Sequence, residues 1–202
     1  MVAPPAQNPP RVIGIIFGPP GSGKGTQAAR IEGEFHLKHL STGDILRAEV
    51  AKGTPIGREA SRIMAAGDLV PDGLIVDIVR SRLPEAETGA GVLLDGFPRT
   101  LRQAQALGGM LAGEGHRVDF VLALDVPEKD LVERLLHRAQ LEGRQDDNRE
   151  AITERMHEYH KLTEAVLDHY RRQGVPVEIV SGLGPPDEVF ERIRRAVGIS
   201  SR

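Results

Sequence analysis

Hydrophobic and polar positions alternate along the chain between two periods. Nearly continuous apolar runs at Arg11 to Phe17 (RVIGIIF), Gly91 to Leu94 (GVLL), Val118 to Val126 (VDFVLALDV) and Val175 to Val180 (VPVEIV) predict strands buried on both faces. Phe35 to Leu40 is a weaker fifth candidate. Between them, apolar residues recur three and four apart, as helices require: Leu74, Ile78 and Val79; Leu131, Leu135 and Leu136; and a long stripe through Ile152, Met156, Tyr159, Val166 and Tyr170 that Gly174 stops. Pro127 and the Pro185-Pro186 pair stand where helices start. Such alternation predicts an α/β fold, a doubly wound parallel sheet covered on both faces. Ser41 to Leu83 departs from it, being helical in pattern with breaks at Gly53, Gly57, Gly67 and Pro71. It reads as a small helical insertion on the ligand side of the sheet.

Composition narrows the class. At 202 residues the chain suits one domain, residues 11–202, preceded by a proline-rich leader, 1–10, expected to be disordered. A net charge of −3 offers no global attraction to nucleic acid or to an anionic membrane. Cysteine is absent, which excludes disulfides and thiolate zinc sites and fits a reducing compartment. No apolar run reaches the roughly 20 residues of a membrane span. A cytoplasmic monomer is the default expectation. His157 and His160 are spaced as HxxH without the zinc-protease signature, and read as surface or hydrogen-bonded histidines; no structural zinc is expected.

The strongest chemical signal is Gly18-Pro-Pro-Gly-Ser-Gly-Lys-Gly-Thr26, placed directly after the first strand and opening a helix. Glycines there let backbone N–H groups turn around an anion, and the helix N-terminus adds its positive end. Gly21, Ser22, Gly23, Lys24, Gly25 and Thr26 are the candidate triphosphate binders, with Lys24 reaching the outer phosphates. Gly25 separates the lysine from the hydroxyl of Thr26, where the general motif has them adjacent. Asp95 ends an apolar strand, at the crevice where doubly wound sheets bind ligands. It is the candidate to hold Mg²⁺ through water, with Thr26 a second. Asp125 also ends a strand, but Pro127 follows and helix capping is the better reading; Asp146 and Asp147 are expected to orient arginines.

The form GPPGSGKGT resembles the adenylate kinase family of nucleoside monophosphate kinases. Further segments extend the resemblance in order: Leu40 to Arg47 (LSTGDILR), Gly67 to Asp72 (GDLVPD), Leu94 to Thr100 (LDGFPRT) with Gln103, and Gly143 to Asp147 (GRQDD) followed by Arg155. It covers essentially everything from Val12 onward. The resemblance implies five parallel strands in a P-loop NTPase-type core, a helical monophosphate-binding part at 41–70 and a lid at 138–146. It implies Mg²⁺-dependent transfer between ATP and AMP, giving ADP, in line and without a covalent intermediate. Lys24, Arg99, Arg138, Arg144 and Arg155 would be catalytic, with Arg134 against the ATP adenine. AMP would be held by Thr42, Arg47, Leu69, Val70, Gly96, Arg99, Gln103, Arg144 and Arg155. Five residues separate Arg138 from Arg144, which matches the short-lid form.

The physics is consistent with those roles. Two facing nucleotides bring about six negative charges together, and planar guanidiniums suit their phosphates better than lysines do. The acceptor is already an anion, so no strong base is needed. Two rivals follow: a UMP/CMP kinase of the same fold, which resembles LSAGD where this chain has Leu40 to Asp44 (LSTGD), and a P-loop ATPase or nucleotide switch, to which Thr42, Arg47, Arg99 and Gln103 would be superfluous.

Overall fold

The computed structural model describes residues 11–84, 90–142 and 148–198. Its centre is β1 (Val12–Phe17), flanked by β3 (Gly91–Asp95) and β4 (Phe120–Asp125), with β2 (Leu37–Ser41) and β5 (Val177–Ser181) at the edges. The order is β2-β3-β1-β4-β5 and every pairing is parallel. The weak fifth strand is therefore real. It stands two residues later than the pattern placed it, because Phe35 closes the preceding helix and packs beneath the sheet.

Strand periodicity divides the core. Ile13, Ile15 and Phe17 of β1 face one way with Leu94, Val121 and Ala123, against α4 (Asp72–Arg82), α5 (Leu101–Gly113) and α7 (Arg149–Arg172). Ile16, Leu93, Leu122 and Leu124 face the other way, against α1 (Lys24–Phe35) and α8 (Pro186–Val197). Burial on both sides is why these strands carry no polar alternation; each fully buried leucine contributes about 1.5–3 kcal/mol. After β3 the chain crosses β1 to build β4 and β5 on the far side, so a crevice opens at the carboxyl ends of the central strands.

Two groups of helices stand over that crevice. On one side are α2 (Thr42–Lys52), α3 (Pro55–Ala66) and the start of α4. On the other, α6 (Glu128–Glu142) packs on α7 through Leu131, Leu135, Ile152 and Met156. Side-chain caps set the starts: Ser41 Oγ accepts from Asp44 N at 3.2 Å, Thr54 Oγ1 from Gly57 N at 3.0 Å and Thr100 Oγ1 from Gln103 N at 3.2 Å. Gly53 and Gly67 end helices as expected, but Gly57 does not break one. It lies inside α3, buried, where any side chain would run into the backbone of Glu49 in α2. A missing Cβ there permits close helix packing rather than a turn.

Candidate active site

The loop from Gly18 to Gly23 wraps back on itself before α1. Gly21 and Gly23 have φ of 82° and 90°, left-handed values that glycine adopts without strain. Ser22 N donates to Pro19 O at 3.1 Å, which closes the turn, and Ser22 lines the cleft along with its neighbours although its hydroxyl is buried. The first N–H groups of α1 have no partner within the helix, and Gly21, Gly23, Lys24, Gly25 and Thr26 line an open cleft of about 750 Å³. Lys24 Nζ donates to Gly18 O at 2.6 Å and Pro19 O at 3.0 Å, which spans the loop. Removal from water lowers the Lys24 pKa to about 7; Asp95 opposes that, while Arg99, Arg155 and Arg138 push the same way.

Arg134 and Arg138, one turn apart on α6, line the far wall of the cleft. Both terminal nitrogens of Arg134 approach Gly182 O at 3.4 Å, beyond the end of β5. Arg144, with Gly143, Asp146 and Asp147 of the expected lid, lies outside the described residues, as does the 1–10 leader.

A smaller chamber of about 70 Å³ adjoins the cleft. Thr42, Leu46 and Arg47 of α2, Leu69 and Val70 of the connecting segment, and Gly96, Arg99 and Gln103 line it. Every described residue that the sequence nominates for the acceptor is therefore in one place. Thr42 is buried and its Oγ1 donates to Gly96 O at 3.1 Å, tying α2 to the end of β3. Arg47 Nη2 donates to Asp44 Oδ1 at 2.5 Å, and this partner holds the Asp44 carboxyl below its usual pKa although burial works the other way. Gly96, Arg99 and Arg155 line the cleft, the chamber and a third small apolar pocket beside Phe97, Tyr159 and Leu162. Two guanidiniums thus stand where the cavities meet.

Asp95 is 8 % exposed at the end of β3 and lines the cleft with Lys24 and Thr26. Its Oδ2 lies 3.2 Å from His39 Nε2, and its other oxygen has no protein partner among the described residues. One carboxylate with a free oxygen beside a phosphate-binding loop fits a hard cation that keeps most of its water. Among the described residues no group of three His, Cys, Asp or Glu side chains is gathered to hold a metal by itself. Burial would lower the His39 pKa, but the hydrogen bond and charge of Asp95, helped by Asp44 and Glu32, raise it overall.

Sequence reasoning missed His39 and Asp72. His39 reaches Asp95 only because β2 pairs with β3, and 56 residues separate them. Asp72 opens α4, and its carboxylate accepts from Gln103 Nε2 at 2.8 Å and Thr100 Oγ1 at 3.1 Å. Its place in the GDLVPD segment, three residues after Leu69, was the available signal.

A family model described as adenylate kinase matches residues 16–175. The adenylate kinase of Thermus thermophilus is 51% identical over 185 residues, covering 92% of this chain and 96% of the relative. Those of Xanthomonas oryzae pv. oryzae and Xylella fastidiosa are 47% and 46% identical over 184 residues, covering 91% of this chain and 98% of each relative.

Proposed function

The chain belongs to the adenylate kinase family, and from that premise we propose how its cleft and chamber carry out phosphoryl transfer. The activity is the reversible reaction of ATP with AMP to give two ADP. The observation that carries this reading is the sharing of Gly96, Arg99 and Arg155 by both cavities. A hydrolase needs one anion site; a second, joined to the first through guanidiniums, is what a phosphorylated acceptor needs.

ATP lies in the cleft, its phosphates on the amides of Gly21 to Thr26 and its base beside Arg134. AMP lies in the chamber, its phosphate gripped by Arg47 and Arg99 and its base walled by Leu69, Val70, Thr42 and Gln103. Arg155 spans the junction, and Arg138 meets the group in flight from the opposite wall; Arg144, outside the described residues, is expected to assist it. Held this way, an AMP oxygen attacks the terminal phosphorus in line as the bond to ADP breaks; no enzyme atom is phosphorylated. Asp95, through water, with Thr26 nearby, would hold Mg²⁺, which when bound offsets charge on the β- and γ-phosphate oxygens. The helical part at 41–70 and the expected short lid would swing inward over the bound nucleotides, excluding water that would otherwise take the phosphoryl group. On this reading the protein works as a cytoplasmic monomer; no helix of the described residues is long and apolar enough to cross a membrane.

The test is ADP alone with Mg²⁺. ATP and AMP should accumulate in equal amounts. Phosphate release without AMP would identify an ATPase instead.

A further inference from the structure

We infer that Asp72 is a positioning residue for the acceptor base, fixing which way round the Gln103 amide faces the AMP chamber. The inference rests on the placement of AMP proposed above. Gln103 is 2 % exposed and lines the chamber with Leu69 and Val70, whereas Asp72 does not reach its wall. Two contacts hold the amide from opposite ends. Gln103 Nε2 donates to Asp72 Oδ1 at 2.8 Å, and Gln103 Oε1 accepts from the backbone N–H of Arg99 at 2.7 Å. A carboxylate only accepts and a backbone N–H only donates, so chemistry alone dictates which end of the amide is which. Asp72 is held in turn by Thr100, whose hydroxyl donates to Oδ2 at 3.1 Å while capping α5.

A primary amide has two N–H groups and two acceptor lone pairs. One of each is used, so one N–H and one lone pair remain, in a set order. Adenine offers the complement: an acceptor at N1 and a donor at the 6-amino group. Hypoxanthine and guanine reverse both, with N1–H and a 6-oxo group, and would require the amide turned over. Turning it over would bring nitrogen against Arg99 N–H and oxygen against the Asp72 carboxylate, leaving both buried pairs unmatched. Such mismatches discriminate strongly between ligands.

The experiment compares AMP with IMP, its 6-oxo analogue, as acceptor. Asp72→Ala should lower the ratio of kcat/KM for AMP to that for IMP about tenfold, chiefly through the KM for AMP, and leave the KM for ATP unchanged. Asp72→Asn, nearly isosteric, has one acceptor oxygen for two donors and should lower the ratio about threefold. In a Gln103→Ala background neither substitution should change the ratio further. Equal losses for AMP and IMP would overturn the inference by making Asp72 merely structural, as would an effect on the ratio that persists without Gln103. Should Asp72→Ala not fold, a native ratio in Asp72→Asn overturns it equally. Native protein that accepts IMP as readily as AMP would instead count against the placement of AMP itself.

Discussion

On the reading proposed above, the cleft over the glycine loop and the chamber beside α2 recognise similar ligands by different means. One wall of the open cleft is a run of consecutive residues, Pro20 to Gln27, with Lys24 reaching back to the carbonyls of Gly18 and Pro19; Asp95, Arg99, Arg134, Arg138 and Arg155 come to it from across the fold. The chamber is small, and side chains from α2, the 67–70 segment, the end of β3 and α5 close it. Backbone amides recognise any polyphosphate. A side-chain amide locked by two neighbours recognises one pattern of donors and acceptors. Generic phosphate binding can be local in sequence, whereas discrimination between bases has to be assembled across the fold.

Removing Lys24 should break the donor side most completely. Lys24→Ala is expected to lower turnover by roughly 10³-fold or more, the scale of one lost phosphate-stabilising cation. Circular dichroism should show the fold intact, since the lysine caps a loop rather than filling core. Arg99→Ala probes the junction from the acceptor side. It should lower kcat/KM for AMP by roughly 10²-fold while changing the affinity for ATP less than about threefold. Equal losses for both nucleotides would refute the assignment of Arg99 to the acceptor.

Protonation sharpens the contrast without any loss of function. With its pKa lowered to about 7, Lys24 is mostly neutral at about pH 8 before ATP binds. Phosphates restore the ammonium, so binding should take up close to one proton. Titration calorimetry in buffers of different ionisation enthalpy measures this directly. Lys24→Arg, always charged, should abolish the uptake, and AMP binding alone should show less of it.

The smallest effect concerns the strand ends between the two sites. The folded-state pKa of His39 is raised, so its pairing with Asp95 stabilises fully below the unfolded value of 6.5 and fades as pH rises through the folded value. His39→Gln should therefore lower the melting temperature at about pH 5.5, by roughly 2–4 °C if about 1 kcal/mol is lost, and by less at about pH 9. A deficit independent of pH would mean that packing, rather than charge, is what His39 supplies.

Read along the chain, the five strands, the flanking helices and the phosphate loop are legible because each depends on neighbouring residues: apolar runs, stripes three and four apart, and glycines before a lysine. Gly57 was misread for the same reason. A glycine looks like a break from within its own segment, and only the backbone of Glu49 across the α2–α3 contact explains it. Arg47, Thr42, Arg99 and Gln103 could be nominated singly from their motifs, yet nothing local placed them around one chamber.

What tertiary structure decided was company. Parallel pairing of β2 with β3 brings His39 to Asp95, and the approach of α4 to the start of α5 sets Asp72 against Gln103. Sharing of Arg99 and Arg155 between cavities exists only once the ends of the strands and α7 converge. Residue type and spacing determine what a side chain can donate or accept, and that much is written in the sequence. Which partner stands within about 3 Å of it is a long-range property, set by how sheet and helices pack around the whole core.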